Sequence, residues 1–317
     1  MSQTGTTDVQ PQELQAAAEP PRRPLSVVAL GCGRQPWQAR GGGTRIADWM
    51  LERLGGRPVD LVVLSELALA PFFSVTRDRG WLDAGDTVDG PEVAAVADAA
   101  ARLGSYVLVA FAEREPTTGV LANSVVLAAP DGSLVEGRVC SGPRAGEPAR
   151  VYRKVHLSEN WNTEPGVHEK YFFRPGDGFV IYETSFGTFA PLICYDRSFP
   201  ESWRAVRLAG ARVVGVPNAF SRRERIRTFT FELQTAAMQN GVFAIAACKA
   251  GTEGPPGGPD VRFAGGSCVV SPLGDVLASE SCAGDDGEVV ACTIDLGLLD
   301  DHDRTYHLLR DRRPEAY

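Results

Sequence analysis

The sequence predicts a single α+β domain in which strands outnumber helices. Short apolar runs, such as LSVVAL at 25–30 and DLVVLS at 60–65, end at glycine or polar residues and are typical of buried strands. Stretches at 46–54 and 91–103 have the apolar spacing of helices and stop at glycine. Hairpin pairs of strands alternate with strand–helix units. The order therefore differs from the regular βαβ alternation of a doubly wound fold.

Composition divides the chain into one large domain between two tails. The chain has 317 residues, of which 44% are hydrophobic, and this is enough for a large buried core. Residues 1–24 are rich in Gln, Thr, Ala, Glu and Pro and lack an apolar segment, so we expect a disordered tail and not a secretory signal. The domain is expected at 25–299. The charged residues 300–317 are expected to wrap the surface or to meet a partner subunit.

Charge and cysteine content argue against several classes of protein. The net charge of −8 argues against nucleic acid or an anionic membrane as a partner. No apolar run reaches the roughly 18 residues that a transmembrane helix needs. Seven cysteines without a CxxC pair, and four histidines without ligand spacing, argue against a disulfide framework and a metal site. We therefore expect no metal, and a reducing, cytoplasmic location.

The remaining elements position the polar residues that could do chemistry. Further strands are expected at 106–112, 124–129, 151–157, 212–216, 242–247, 266–270 and 288–294, a hairpin from 179–182 and 188–193, and helices at 200–208 and 224–239. A Pro-Asp-Gly turn at 130–132 predicts that another strand starts at Leu134 and pairs with the strand at 124–129. Residues 158–178 form a long loop, which in a compact domain is often functional.

Cys194 is the first candidate catalytic residue, because it lies between an apolar strand and a polar segment that opens a helix. A nucleophile at such a turn is exposed on a rigid base, where backbone N–H groups can stabilise an oxyanion. The helix N-terminus is also expected to lower the pKa of the thiol. The alternative is that Cys194, like most cysteines, packs in the core.

Glu66 and Lys154 are the second and third candidates. Glu66 ends an apolar strand and precedes the apolar segment LALAPFF, so its burial needs a partner, and it could act as a general base. Lys154 lies between apolar neighbours in YRKVHL, and its ammonium could pair with Glu66 and stabilise an oxyanion. Either side chain could instead reach solvent. With Cys194 they supply a base, a nucleophile and a positive charge, which is a complete set for acyl transfer from an amide.

Three segments, LVVLSELALAPFF, YRKVHL and ICYDRSFPE, resemble in sequence and order the three motifs of the nitrilase, or carbon–nitrogen hydrolase, superfamily, and the resemblance extends from about residue 25 to residue 295. It implies Glu66 as base, Lys154 as oxyanion stabiliser, Cys194 as nucleophile and the Tyr195 N–H as a second oxyanion donor. It also implies an αββα sandwich that pairs to αββααββα in a dimer, and a thioester mechanism that needs no cofactor.

A second carboxylate near the site is typical of the superfamily. Glu169 is the preferred candidate, because it precedes the segment YFFRPGDGF that belongs to the resemblance. Glu164 and Glu159 remain alternatives, and for Glu159 an ordinary position on a surface loop is the preferred interpretation.

The runs CYDR and AACKAG look most like the N-carbamoyl amino acid amidohydrolases, which release ammonia and carbon dioxide from a ureido group. Arg197 is expected to hold a substrate carboxylate with its guanidinium fork, or alternatively to brace the helix through Asp196 or Glu201. Ser198 stands where N-carbamoyl-D-amino acid hydrolases tend to have a second arginine. Substrates like those of β-ureidopropionase, or carbamoyl amines, therefore stay open.

The fold implied by the resemblance predicts further residues at the pocket, with ordinary packing or loop surface as the alternative for each. These residues are Trp161, Tyr195, Asn218, Phe220 and Arg222. The basic run at 222–227 is interpreted as a solvated helix face or pocket rim and not as a polyanion site.

Other functions fit the sequence less well. An aliphatic amidase or a nitrilase would use the same three residues, and a non-catalytic protein on this fold would not need all of them. Gly31 and Gly33 follow a strand as in dinucleotide-binding folds, but Pro36 stands where the third glycine would be. The run GGSCV does not fit the GxSxG motif of serine hydrolases.

Overall fold

The computed structural model describes residues 24–162, 166–222, 224–280 and 284–316. Two β-sheets pack face to face, and a pair of helices covers the outer face of each sheet. The layers therefore follow the order αββα, and the predicted α+β sandwich is confirmed.

The regular elements are numbered along the chain. The helices are α1 (Gly43–Leu54), α2 (Pro91–Leu103), α3 (Glu169–Phe172), α4 (Pro200–Leu208), α5 (Arg225–Asn240) and α6 (Gly297–Thr305), with 3₁₀ turns at Phe73–Val75, Arg79–Asp83, Cys194–Ser198 and Pro314–Ala316. The strands are β1 (Leu25–Gly31), β2 (Leu61–Leu64), β3 (Tyr106–Arg114), β4 (Leu121–Ala128), β5 (Gly137–Val139), β6 (Pro148–Ala149), β7 (Tyr152–Arg153), β8 (Glu159–Asn160), β9 (Val167–His168), β10 (Val180–Thr184), β11 (Gly187–Pro191), β12 (Val213–Asn218), β13 (Phe243–Cys248), β14 (Ala250–Glu253), β15 (Val261–Ala264), β16 (Cys268–Val270), β17 (Val276–Ser279) and β18 (Glu288–Ile294).

The first sheet has six strands in the order β18-β1-β2-β3-β4-β7. Its centre, β1 to β3, is parallel, and its outer strands pair antiparallel. Parallel neighbours need a crossover connection, and α1 and α2 supply these crossovers on the outer face. Ile46 and Met50 of α1 pack there with Val93 and Val96 of α2. The strands are buried on both faces, which explains their unbroken apolar sequence.

The second sheet has eight strands in the order β17-β16-β13-β12-β11-β10-β5-β6. It repeats the same design, because β11 to β13 are parallel and α4 and α5 form the two crossovers. Phe229, Leu233 and Ala237 form the buried stripe of α5, at the spacing of four that places residues on one helix face. Gly241 ends this helix in the left-handed conformation, with φ of 59°.

The two sheets approach closely at Gly215 in β12. A Cβ atom at this position would lie 2.7 Å from Cζ of Phe189 and 2.9 Å from Cδ2 of Leu108, which belongs to the other sheet. The missing side chain therefore makes room for both larger ones. Leu108 and Phe189 are fully buried, so the contact lies in the core between the sheets.

Two predicted strands differ from those observed. The strand predicted from Leu134 is much shorter than expected: Leu134 forms an antiparallel bridge with Ala128 and the Val135 N–H donates to the Leu127 carbonyl at 2.8 Å, and the chain then crosses to β5 in the second sheet. The strand predicted at 151–157 shortens to β7, and the hydrogen bond of 2.8 Å from the Lys154 N–H to the Asn123 carbonyl continues its pairing with β4 by one residue.

The two predicted tails can be compared with the described residues at each end of the domain. Residues 1–23, most of the predicted N-terminal tail, lie outside the described residues. The predicted boundary at residue 300 falls inside α6, whose Leu299 and His302 are buried. Within the described parts of the chain, none of the helices has the length and apolar character needed to cross a bilayer.

The packing between the sheets predicts the effect of truncating Leu108. Leu108→Ala should lower the free energy of unfolding by roughly 3 kcal/mol, because it opens a cavity in a fully buried layer. The matched variant Leu277→Ala removes the same atoms from a side chain that is 39% exposed and should cost no more than about 1 kcal/mol. Urea denaturation measures both values. Equal losses would contradict the assignment of Leu108 to the core.

Candidate active site

The candidate catalytic residues follow directly on strands of both sheets. Glu66 comes two residues after β2, Lys154 follows β7, and Cys194 follows β11 after Leu192 and Ile193. The first two strands belong to one sheet and β11 to the other. Residues that are far apart in sequence therefore meet at one edge of the sandwich.

The Lys154 ammonium lies between two carboxylates. Its Nζ atom is 2.7 Å from Oε1 of Glu66, and 2.7 and 2.8 Å from the two carboxylate oxygens of Glu169. All three side chains are at most 1% exposed. A buried ammonium is tolerated only with such partners. The predicted pair of Glu66 and Lys154 is thus present, and Glu169 completes it.

Asn123 of β4 orients both carboxylates. Its Nδ2 donates to Oε1 of Glu66 at 2.8 Å and to Oε1 of Glu169 at 3.0 Å. The backbone N–H of Ser158 donates to Oε2 of Glu169 at 2.6 Å. Sequence reasoning did not single out Asn123. The available signal was a fully buried polar residue inside the otherwise apolar strand LANSVVLA.

Burial and charge change the pKa values of the cluster in opposite senses. Burial raises the pKa of the Glu169 carboxyl from 4.5 to about 7, although Lys154 opposes this shift. Burial alone would lower the pKa of Lys154, but the negative charges of Glu169 and Glu66 outweigh burial and raise it above its usual value. Lys154 therefore stays an ammonium, and Glu169 changes its charge near neutral pH.

The nucleophile candidate lies on a strained backbone. Cys194 has φ of 46° and Leu67, next to Glu66, has φ of 48°. The left-handed region is costly for residues with a Cβ, by roughly 1–3 kcal/mol, and such residues concentrate at functional sites. Cys194 opens the 3₁₀ turn Cys194–Ser198, and its Sγ is 3.6 Å from the carbonyl of Ala219. The turn places the thiol at the cavity wall.

The expectation of a lowered thiol pKa is wrong. The pKa of Cys194 is raised from 9.0 to about 12, mainly by burial and then by the negative charge of Glu66. The positive charges of Lys154 and Arg197 lower it, but not enough to compensate. Cys194 is therefore a neutral thiol at neutral pH and needs a base when it reacts.

Asp196 connects the segment of Cys194 to the segment of Lys154. Its fully buried carboxylate accepts a 2.6 Å hydrogen bond from Tyr152 Oη and a 2.8 Å bond from the His156 N–H. It also accepts from the N–H of Ile193 at 3.1 Å. Tyr152 and His156 flank Lys154. Asp196 thus links the turn of Cys194 to the segment of Lys154.

Arg197, the predicted carboxylate ligand, is held by the protein itself. Its Nη1 donates to the Cys194 carbonyl at 2.6 Å and to Oδ1 of Asn218 at 3.1 Å, and its Nε lies 3.2 Å from Oε2 of Glu232. The side chain is 4% exposed. The alternative partner Asp196 instead binds Tyr152 and His156.

The other predicted site residues differ in their position relative to the cavity. Tyr195 and Phe220 line the cavity with Cys194, while Asn218 is fully buried behind it. Trp161 is 62% exposed and stacks on Arg77, away from the cavity lining. Of the alternative second carboxylates, Glu159 lines the cavity and Glu164 lies outside the described residues. Arg222, predicted at the pocket rim, is among the lining residues.

A cavity of about 530 Å³ opens above this cluster and accommodates a small molecule. Lys154, Glu169 and Cys194 all contribute to its wall. Glu66 does not line the cavity; it lies behind Lys154, to which it is hydrogen-bonded. A separate cleft of about 520 Å³, beside Glu113, contains none of these candidate residues.

A cysteine, an ammonium and two carboxylates on an αββα sandwich define a class of enzyme that cleaves carbon–nitrogen bonds. The sequence profile of the carbon–nitrogen hydrolase family matches residues 28–302. The chain therefore belongs to the carbon–nitrogen hydrolase family, as the motif resemblance indicated. Membership of this family makes it an amidohydrolase.

Relatives and solved structures place the chain within this family. It is similar to the N-carbamoylputrescine amidase of Arabidopsis thaliana, with 26% identity over 86% of this chain and 87% of the relative. It is also similar to the citrullinase of Francisella tularensis, with 27% identity over 81% of this chain and 85% of the relative. The crystal structure of a carbon–nitrogen hydrolase from Helicobacter pylori G27 superposes with a TM-score of 0.79 and 27% identity, over 92% of this chain and 97% of that one.

The raised pKa of Glu169 predicts a carboxyl group that titrates near pH 7. In carbon-13 NMR spectra of the protein labelled at the glutamate carboxyl carbon, one signal should titrate at about pH 7, because burial disfavours the charged form. Glu169→Gln should remove this signal. Glu52→Gln, which changes an exposed residue of α1, should leave it in place. Completion of every glutamate titration below pH 6 would contradict the prediction.

Proposed function

We propose that this protein hydrolyses the carbon–nitrogen bond of a ureido group in a linear N-carbamoyl compound and releases ammonia through a thioester on Cys194. The observation that carries the proposal is the cavity in which Cys194, Lys154 and Glu169 meet above the buried Glu66. Carbamoylputrescine and citrulline, after which two relatives are named, both contain a ureido group.

Glu66 is the proposed general base. Lys154 and Asn123 both donate to its Oε1 atom, whereas Oε2 is buried and has no hydrogen-bond partner among the described residues. That oxygen is the proposed acceptor of the thiol proton. Because the thiol of Cys194 is neutral at pH 7, proton transfer to Glu66 accompanies the attack of sulfur on the ureido carbonyl carbon.

Lys154 is the proposed oxyanion stabiliser. Its flanking carboxylates keep it charged, so it can stabilise negative charge on the carbonyl oxygen but cannot act as a base. The N–H of Tyr195 is the proposed second donor to that oxygen. Glu169 holds the Lys154 ammonium in place through two hydrogen bonds. Glu169 is therefore a positioning residue.

The proposed cycle closes in two steps. The carbon–nitrogen bond to the terminal amino group breaks, Glu66 returns its proton, and ammonia leaves a carbamoyl thioester on Cys194. Water then loses a proton to Glu66 and attacks the thioester carbon, and the Cys194 thiol is restored. The carbamate product loses carbon dioxide to give an amine. Every step uses a group of this chain, water or the substrate.

This mechanism predicts a loss of turnover without a loss of binding when the base is neutralised. Glu66→Gln should lower kcat by about 10³-fold or more on ureido compounds, while KM changes little, because general-base catalysis contributes roughly 10²–10⁴-fold. Cys194→Ala should release no ammonia. Glu52→Gln on the surface of α1 is the matched control and should behave as the parent protein.

The proposed substrate class is tested with a panel of ureido acids, ureido amines, simple amides and nitriles. Ammonia release is measured for each compound. Turnover of plain amides or nitriles in preference to every ureido compound would reject the proposed substrate class. A Cys194→Ala variant that still releases ammonia would reject the proposed nucleophile.

A further inference from the structure

Three arginines lie at the rim of the cavity that holds Cys194: Arg222, Arg225 and Arg262. All three residues are exposed. Among the described residues, neither Arg222 nor Arg262 forms an ion pair, and Arg225 is 3.7 Å from Glu232. Guanidinium groups without acid partners beside a cavity favour an anionic ligand, and their planar forks fit a carboxylate. The rim is therefore suited to a carboxylate of the substrate.

The position of this carboxylate follows from the contacts of Arg197. In an N-carbamoyl-α-amino acid the carboxylate lies two bonds from the ureido nitrogen, so its ligand must be close to Cys194. Arg197 is the arginine next to Cys194, but its Nη1 and Nε already contact Cys194, Asn218 and Glu232. The free arginines instead occupy the rim. A substrate that places several bonds between its ureido group and its carboxylate fits this arrangement better.

Glu159 provides an opposite charge in the same cavity. Its Oε1 is 3.1 Å from Nδ1 of His168, while its Oε2 is buried without a hydrogen-bond partner among the described residues. A buried carboxylate oxygen without a donor is costly, and a ligand ammonium would satisfy it. The exposed Asp260 also lines the cavity. Anionic and cationic groups of a ligand would thus both find a partner.

We propose that the substrate is a zwitterionic amino acid whose side chain ends in the ureido group. Arg222 and Arg262 bind its α-carboxylate, Glu159 binds its α-ammonium, and the ureido end extends to Cys194. This inference rests on the proposed function and specifies the substrate of the same site. It also reassigns carboxylate recognition from Arg197 to the rim, and leaves Arg197 to position the turn that carries the nucleophile.

Three compounds with the same ureidopropyl chain test the charge requirement. They are 2-amino-5-ureidopentanoate, 5-ureidopentanoate, which lacks the ammonium, and 4-ureidobutylamine, which lacks the carboxylate. We expect kcat/KM for the zwitterion to exceed that of either other compound by about tenfold or more. A higher kcat/KM for 4-ureidobutylamine, or equal values for all three, would overturn the proposal.

Rim variants separate the two charges. Arg262→Gln and Arg222→Gln should each reduce the preference for the zwitterion over 4-ureidobutylamine by about tenfold, and Glu159→Gln should reduce the preference over 5-ureidopentanoate to a similar extent. Arg57→Gln, an exposed arginine after α1, is the matched control. Rim variants with parent-like preferences would contradict the assignment of these residues.

Binding separates a failure of this inference from a failure of the proposed function. Isothermal titration calorimetry on Cys194→Ala measures the Kd of the three compounds without turnover. Tightest binding of the zwitterion, weakened by Arg262→Gln, supports the inference even if the parent protein releases no ammonia, in which case the proposed chemistry is wrong. No difference in Kd among the three compounds overturns the inference, whatever the parent protein hydrolyses.

Discussion

The buried Lys154 ammonium is the interaction on which the rest of the site depends. Moving one ammonium and two carboxylates out of water costs several kcal/mol for each ion, and only close mutual contacts offset this cost. The contacts of 2.7–2.8 Å from Nζ to Glu66 and Glu169 provide that compensation. Removing Lys154 would leave two carboxylates without a positive partner in a dry interior. The three side chains therefore hold each other in one arrangement.

Burial and the charges of the cluster also determine the protonation state of the Cys194 thiol. Burial, and after it the negative charge of Glu66, raises the pKa of the Cys194 thiol and keeps it protonated. A permanent thiolate would be reactive toward many electrophiles. In the proposed mechanism the neutral thiol becomes nucleophilic when a substrate carbonyl is in position and Lys154 stabilises the developing charge. The proposed mechanism therefore derives its selectivity from positioning and not from a reactive ground state.

The sandwich provides the rigidity that this positioning needs. The parallel centres of both sheets direct strand ends to the same edge, and Asp196 ties the Cys194 turn to the segment of Lys154 by hydrogen bonds of 2.6 and 2.8 Å. Left-handed backbone at Leu67 and Cys194 persists because these surroundings hold it. Arg222 and Arg262 lie at the rim of the cavity, where their side chains are exposed and do not pack in the core.

The sequence by itself indicated the buried strands and the candidate residues of the centre, whereas the αββα layers were implied by its resemblance to the carbon–nitrogen hydrolases. Unbroken apolar strands with helices between them specify sheets buried on both faces, and a glutamate, a lysine and a cysteine at strand ends have no inexpensive place in such a core unless they meet. The resemblance to the carbon–nitrogen hydrolases predicted Glu169 as the second carboxylate, and the structure places it against Lys154. These predictions depended on local patterns and motif order, which are properties of the chain itself.

The tertiary structure alone decided the contacts between segments distant in sequence. Asn123 bridges two carboxylates 57 and 46 residues away, and no pattern near it specifies those partners. The thiol pKa was predicted in the wrong direction, because desolvation and the charge of Glu66 arise only when the sheets close around Cys194. Arg197 lies three residues from Cys194 in sequence, yet Asn218 and Glu232 determine where its guanidinium points. Electrostatic and hydrogen-bonding energies depend on distance in space, and the fold sets those distances.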